Sequence, residues 1–137
     1  MFSPDTKILI VDDMRTMRMV VKKNLTSLGF TNVTEADDGE TAWSAVEQSV
    51  SAMSPFKLII SDWTMPKMSG LDFLKKVRSH PSMGKTPFLM ITAESDAALV
   101  KEAITAGVSN YVTKPFSAET LQQKLQAVFD RFQKSAG

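Results

Sequence analysis

One stretch decides the fold of this chain: Leu58-Ile59-Ile60-Ser61-Asp62-Trp63-Thr64-Met65-Pro66. It opens with a continuous apolar run, which is typical of a strand buried on both faces of a parallel sheet. The run ends at Asp62, and a short segment containing Pro66 and Gly70 separates it from a helical pattern. Open α/β folds bind ligands outside the carboxyl ends of their strands. We therefore expect Asp62 to lie at a binding edge.

The same alternation of an apolar run and a helical pattern extends along the whole chain. Strands are predicted at 7–11, 31–36, 57–61, 88–91 and 109–113. Helices are predicted at about 14–28, 40–52, 70–79, 95–106 and 118–132, with Gly29 and Gly107 as C-terminal caps and Ser95 as an N-cap. Such alternation favours parallel strands and right-handed crossovers. The expected fold is one doubly wound α/β domain over residues 1–137, with a core at about 6–133 and helices on both faces of a five-stranded parallel sheet.

The spacing of apolar residues predicts which helical side chains face the core. Met14 and Met17 begin the apolar stripe of the first helix, and we interpret them as core-filling residues. Phe132 closes the inward row of the last helix. His80, the single histidine, directly follows the third helix. We expect an exposed residue at a helix end there rather than a catalytic base or a metal ligand.

Composition excludes several classes of function. The 137 residues carry 16 basic and 15 acidic side chains, so the net charge of +1 argues against a general nucleic-acid or anionic-membrane surface. The absence of cysteine excludes disulfides and thiolate chemistry. No apolar stretch is long enough to span a bilayer, and residues 1–6 do not resemble a signal peptide. We therefore expect a cytoplasmic protein with no membrane insertion.

Five residues follow the predicted strands and should share one edge of the sheet. They are Asp12 and Asp13 after the first strand, Asp62 after the third, Thr92 after the fourth and Lys114 after the fifth. Any one of them alone is more typical of a cap, a turn or a surface position. Asp13, for instance, could cap the first helix. Their common position favours a functional site.

The chemistry of this set indicates a divalent cation and a phosphate-like group. Closely packed carboxylates repel one another, and Mg²⁺ removes that conflict because it prefers oxygen ligands. Lys114 would hold a phosphate oxygen and Thr92 would donate a hydrogen bond. One carboxylate could itself be a nucleophile that forms an aspartyl phosphate.

These motifs resemble a known family over nearly the whole chain. The matching residues are Asp12-Asp13, Ser61-Asp62-Trp63-Thr64-Met65-Pro66 with Gly70, Thr92-Ala93-Glu94, Tyr111 and Lys114-Pro115-Phe116. The set resembles the receiver domain of two-component response regulators, and most of all the single-domain chemotaxis regulators. The resemblance implies a flavodoxin-like sheet with strand order 2-1-3-4-5.

The resemblance also assigns the site residues. It implies that Asp62 is the phosphoacceptor. Asp13 and Asp62 would bind Mg²⁺ through their carboxylates, Asp12 mainly through water, and Thr64 through its backbone carbonyl. Many chemotaxis regulators have Asn at the position of Thr64. A β-branched residue there could change the access of water to the phosphorylated aspartate, and hence the lifetime of its acyl phosphate. The stretch 49–56 is also longer than in compact relatives.

Other residues of the motif would transmit the signal. The resemblance implies that Lys114 pairs with the phosphoryl group and that Thr92 turns toward this group. It also implies that the rotamer of Tyr111 follows the position of Thr92. The Lys114–Pro115 peptide bond is expected to be cis. Val100 and Lys124 would join Tyr111 on a face that contacts a target.

The resemblance implies a function in signalling without turnover of a free substrate. A sensor histidine kinase would donate the phosphoryl group, a phosphatase could remove it, and a monomeric chain would act by protein contact. Trp63, Glu94 and the single-domain length favour the flagellar motor switch as the target. A phosphorelay intermediate that passes the group to a histidine phosphotransferase is the alternative.

Enzymes of other classes fit the motifs less well. A phosphatase of the haloacid dehalogenase type needs an Asp-x-Asp motif, whereas Asp12 is followed by Asp13 and Met14. A nucleotide-binding enzyme would need a glycine-rich loop after a strand, which is missing. A degenerate receiver is disfavoured because the acidic residues and the lysine are all present.

Overall fold

The computed structural model describes residues 2–93 and 97–136. In chain order the elements are β1 (Ile8–Val11), α1 (Arg15–Ser27), β2 (Val33–Ala36), α2 (Gly39–Ser51), β3 (Leu58–Asp62), α3 (Gly70–Ser79), β4 (Phe88–Thr92), α4 (Ala97–Thr105), β5 (Asn110–Thr113) and α5 (Ala118–Ala136). The strands form one parallel sheet in the order β2-β1-β3-β4-β5. The predicted doubly wound fold and strand order are confirmed.

The central strands are buried on both faces, as their apolar runs predicted. Alternate residues of β1 enter different cores, because successive side chains of a strand point to opposite faces. Ile8 and Ile10 pack with α1 and α5, whereas Leu9 and Val11 pack with α2 and α3. Within the described residues, no helix has the length and apolarity that crossing a membrane requires.

Local sequence signals set several helix ends. The Asp38 carboxylate accepts a hydrogen bond from the Thr41 amide at 2.7 Å, so α2 begins at Gly39, one residue before the predicted start. Gly29 and Gly107 have φ of 97° and 95°, and they end α1 and α4 as left-handed caps. Residues 49–51 form the last turn of α2, inside the predicted helix at 40–52. The predicted cap Ser95 and the motif residue Glu94 lie outside the described residues.

Three predicted side-chain environments were wrong. Met14 is 53% exposed, because it precedes the first turn of α1 instead of lying on its inner face. Phe132 is 38% exposed, since Phe129 takes the inward position and packs edge-on against Phe2 at 5.0 Å. His80 does end α3, but it is half-buried because the ring of Trp43 covers it at 5.8 Å.

The start of α3 is packed directly on the end of β3. The Gly70 amide donates to the carbonyl oxygen of Trp63 at 2.7 Å. A Cβ atom at Gly70 would overlap with the carbonyl oxygen of Asp62. The absence of a side chain at residue 70 therefore lets α3 approach the strand that carries Asp62.

Replacing Gly70 with Ala will lower the free energy of unfolding by about 1–3 kcal/mol, because the added methyl group must displace the end of β3. Urea denaturation measures the change. Lys75→Ala, on the exposed face of the same helix, is the control and should stay within about 0.5 kcal/mol of the parent. Parental stability in Gly70→Ala would contradict the close packing.

Candidate functional site

The carboxyl edge of the sheet brings together the residues that the sequence placed there. In the parallel register Val11 lies beside Ser61, and Asp62 beside Ile91. Asp62 and Thr92 are the last residues of β3 and β4, and both are buried. Asp12 directly follows β1 and Lys114 directly follows β5. The predicted convergence is thus present.

Three carboxylates form the centre of the site. One oxygen from each of Asp12, Asp13 and Asp62 lies within 4.8 Å of the others. Asp12 and Asp62 are only 2% and 6% exposed, whereas Asp13 is open to solvent. The cluster therefore has a buried floor and one accessible acidic side.

Lys114 reaches two of these carboxylates. Its Nζ lies 3.1 Å from Oδ1 of Asp62 and 3.6 Å from Oδ2 of Asp12. The backbone helps to place it, because the Lys114 amide donates to the carbonyl oxygen of Thr92 at 2.8 Å. The Lys114–Pro115 bond is cis, as predicted. An amine and a potential nucleophile are thus in direct contact.

Backbone and side-chain hydrogen bonds hold Asp12. Its Oδ1 accepts from the Met14 amide at 2.8 Å, and its carbonyl oxygen accepts from Nη1 of Arg18 at 2.6 Å. Glu35 fixes Arg18 in turn, with Oε1 3.2 Å from Nε. Sequence reasoning missed Arg18, because nothing distinguishes it from the other basic residues of α1. Asp13 does not cap α1, which has no side-chain cap.

Burial dominates the electrostatics of the two inner carboxyl groups. Desolvation raises the pKa of Asp12, opposed mainly by the hydrogen bond from the Met14 amide. Desolvation also raises the pKa of Asp62, opposed mainly by the charge of Lys114. Both carboxylates are therefore held at a cost in free energy that a nearby positive charge would reduce.

The donor set fits a hard divalent cation. The ligands are carboxylate oxygens, and Oδ2 of Asp12 is buried without a hydrogen-bond partner among the described residues. Mg²⁺ prefers such oxygen ligands. Asp12, Asp13 and Asp62 could hold it. Thr64 lies in the exposed β3–α3 connection, two residues beyond Asp62.

Another ion pair joins the β3–α3 connection to the start of α2. Nζ of Lys67 lies 3.7 Å from Oδ2 of Asp38, the N-cap of α2. Lys67 has φ of 69°, a left-handed conformation that is uncommon for a residue with a side chain. The Trp63 amide donates to Oδ1 of Asp62 at 2.9 Å. Sequence reasoning missed Lys67 and Asp38, because their pairing depends on tertiary contact.

The predicted partner residues lie on β5, which forms one edge of the sheet, and on the helices α4 and α5. Tyr111 is half-buried in β5, and Nζ of Lys124 lies 5.3 Å from the centre of its ring. Val100 is half-buried on α4. We call these three residues the switch face. Their part in signalling stays a prediction.

Comparison with known proteins identifies the family. Residues 8–126 match the response regulator receiver domain. The chemotaxis protein CheY-3 of Vibrio cholerae is 46% identical over 125 residues, which cover 91% of this chain and 92% of that protein. This chain belongs to the response regulator receiver domain family, and its chemotaxis relatives make it a regulator of the chemotaxis type.

Solved structures agree with the sequence relatives. Chemotaxis protein CheY4 of Vibrio cholerae superposes with a TM-score of 0.80 at 37% identity, covering 90% of this chain and 98% of that chain. The receiver domain of a sensor histidine kinase from Pseudomonas aeruginosa superposes with a TM-score of 0.77 at 27% identity, covering 89% and 95%. That structure has a magnesium ion coordinated in its active site cleft.

Asp12→Asn will raise the free energy of unfolding at pH 7 in a chelating buffer, and the gain will disappear near pH 3. Burial raises the pKa of Asp12 on folding, so above about pH 4 the folded chain binds more protons than the unfolded chain. The free energy of unfolding of the parent therefore falls as the pH rises from about 4 toward 7. The neutral Asn side chain removes this loss.

Urea denaturation of both chains at the two pH values tests this expectation. Asp37→Asn, an exposed carboxylate in the β2–α2 connection, is the control and should change stability little. An equal gain from Asp12→Asn at both pH values would show that something other than the buried charge is responsible.

Proposed function

We propose that this protein is a phosphoacceptor response regulator in which Asp62 receives a phosphoryl group from a sensor histidine kinase. One observation carries the proposal: Nζ of Lys114 lies 3.1 Å from Oδ1 of Asp62, beside two further carboxylates. A lysine in that position can bind a phosphoryl oxygen once Asp62 is modified. The family to which the chain belongs supports the same assignment.

The transfer step needs positioning and charge neutralisation more than acid–base catalysis. A carboxylate oxygen of Asp62 attacks the phosphorus of a phosphohistidine. The new O–P bond forms as the P–N bond breaks, and the donor imidazole leaves with the electron pair. In the later hydrolysis step the oxygen of a water molecule attacks the same phosphorus, the O–P bond to Asp62 breaks, inorganic phosphate and a proton are released, and the Asp62 carboxylate is restored. The chain would therefore catalyse only its own modification and demodification.

The acidic cluster would hold Mg²⁺ during both steps. Asp13 and Asp62 would bind the ion through carboxylate oxygens and Asp12 mainly through water. The backbone carbonyl of Thr64 would complete the set that the family resemblance implies. When bound, the ion neutralises charge on the carboxylates and on the phosphoryl oxygens. The magnesium ion in the receiver domain of the Pseudomonas aeruginosa kinase supports this assignment.

The output would be a shift between two conformations. Moving a population from 1:99 to 99:1 requires about 5.5 kcal/mol of differential interaction. Hydrogen bonds from Thr92 and Lys114 to the phosphoryl group would contribute about 1.5–3 kcal/mol each. Because this sum only just reaches the requirement, binding of a partner to the switch face would complete the change.

The chemotaxis relatives support the flagellar motor switch as the target. We place the chain in the cytoplasm as a monomer, where a sensor histidine kinase loads it and a phosphatase can unload it. A phosphorelay intermediate is the second candidate, because one structural neighbour is the receiver domain of a sensor histidine kinase.

Asp62→Asn will abolish labelling by acetyl phosphate, because the nucleophilic oxygen is removed. Intact-mass spectrometry measures the adduct. Asp72→Asn, an exposed carboxylate in the first turn of α3, is the control and should be labelled like the parent. Chelation of divalent cations should slow labelling of the parent at least about tenfold. Undiminished labelling of Asp62→Asn would remove the proposed phosphoacceptor.

Labelling with acetyl phosphate will strengthen binding to a peptide from a flagellar motor switch protein by about tenfold, within the usual range of coupling between two sites. Lys124→Gln on the switch face should weaken this binding, whereas Lys75→Gln on α3 should not. Fluorescence anisotropy of a peptide that carries a fluorophore measures the affinity of the parent and of both variants. Transfer to a histidine phosphotransferase domain, without any peptide binding, would favour the relay candidate instead.

A further inference from the structure

Two neighbouring cavities open at the amino-terminal ends of the strands, away from the carboxylate site. The first, which we call the apolar cavity, has a volume of about 230 Å³ and is lined chiefly by Phe2, Phe56, Met83 and Phe132. The second, which we call the basic cavity, has a volume of about 240 Å³ and contains Arg78, Lys85 and Arg131. Lys85 and Phe132 line both cavities, so the two adjoin each other.

Arg78 is fixed at the back of the basic cavity. Its Nε donates to the carbonyl oxygen of Gly107 at 2.8 Å, and its Nη1 donates to that of Thr86 at 2.7 Å. A further Nη1 contact reaches the carbonyl oxygen of Gly84 at 3.4 Å. These bonds use Nε and Nη1 and orient the guanidinium.

The charges around the two cavities are all of one sign. The charged residues that line them are Lys57, Arg78, Lys85 and Arg131. In the part of the chain that the structure describes, no carboxylate forms an ion pair with any of these four. Burial and the charge of Arg131 lower the pKa of Arg78. A chain of net charge +1 thus concentrates positive charge here.

Phe132 adds an apolar surface at the junction. It is 38% exposed, whereas the other aromatic residues of the apolar cavity are at most 9% exposed. Arg131, which precedes it, is anchored by a hydrogen bond to the carbonyl oxygen of Ser109 at 3.1 Å. The apolar cavity and the basic cavity therefore adjoin at the exposed ring of Phe132.

We propose that the two cavities form a docking site for an acidic peptide segment of another protein, with a bulky apolar side chain in the apolar cavity and flanking carboxylates on Arg131 and Lys85. The positive charge of the basic cavity complements an acidic peptide, and the adjoining apolar cavity can accept its apolar side chain. A simple oxyanion would leave the apolar cavity empty. A nucleic acid would need a longer basic surface than a chain of balanced charge supplies.

This site is independent of phosphorylation at Asp62. It lies at the opposite ends of the strands, and none of its lining residues belongs to the carboxylate cluster. The switch face is also separate, because neither cavity is lined by Val100, Tyr111 or Lys124. A partner could therefore occupy it while the carboxyl edge is engaged.

The test uses a capped, fluorescein-labelled peptide in which one Phe is flanked by two Glu on each side. Anisotropy at low ionic strength should show saturable binding to the full chain. Lys85→Gln/Arg131→Gln should weaken that binding about tenfold, because two charge-assisted contacts are lost. Both side chains are exposed, so the fold should be retained. Lys23→Gln/Lys101→Gln removes two exposed charges elsewhere and is the matched control.

Peptide variants separate the two cavities. Replacing every Glu by Gln should reduce binding about as much as the double protein variant, and replacing the Phe by Ala should also weaken it. Asp62→Asn should bind like the parent. Amide NMR shifts on titration should concentrate at Lys85 and at residues 107–109.

Several results would overturn the proposal. These are absence of saturable binding, equal binding of the Gln peptide, equal loss in the control double variant, or shifts confined to the switch face. Equal competition by inorganic phosphate would also overturn it, since that would indicate simple anion attraction without use of the apolar cavity.

Discussion

The central physical constraint on this protein is the close packing of three carboxylates and one amine at a partly buried site. Two unit charges 4 Å apart interact by about 4 kcal/mol at the effective dielectric of a protein surface. Lys114 offsets only part of the repulsion among Asp12, Asp13 and Asp62. Three negative charges and one positive charge leave a formal charge of −2. A divalent cation has the charge that this arrangement lacks.

Such a site is possible because the surrounding sheet is strongly stabilised. Strands β1, β3 and β4 are buried along their whole lengths, so their apolar side chains fill both cores. Each fully buried aliphatic side chain contributes about 1.5–3 kcal/mol. This stabilisation offsets the desolvated acids and the left-handed backbone at Lys67. Unfavourable interactions of this kind are often concentrated at functional sites.

The two ends of the sheet carry opposite charges. Acids gather at the carboxyl edge, while Arg78, Lys85 and Arg131 gather around the amino-terminal ends. The net charge of +1 conceals this separation, because it sums all 16 basic and 15 acidic side chains wherever they lie. Arg78 shows how the fold produces it: the arginine extends from the end of α3 to the loops that precede β4 and β5. Sequence patterning gives no signal for such a contact.

The secondary-structure elements, their parallel direction and hence the residues at the carboxyl edge could all be predicted from the amino-acid sequence. Asp62 and Lys114 could be placed together because an apolar run, a strand end and a shared direction are local or periodic properties. The carboxylate cluster was predicted on that basis, whereas the strand order was implied by the family resemblance. Helix ends were predicted within a few residues, since caps such as Gly29 and Gly107 also act locally.

The side chains that support those residues became evident only from the packing of the folded chain. Arg18 binds the carbonyl of Asp12, Lys67 reaches Asp38, and Trp43 covers His80. Phe129 takes the inward place that spacing also allowed for Phe132. Each of these outcomes depends on where another element comes to rest. Residues that are remote in the sequence come into contact through packing. The pattern of residues along the chain does not specify the distances between them.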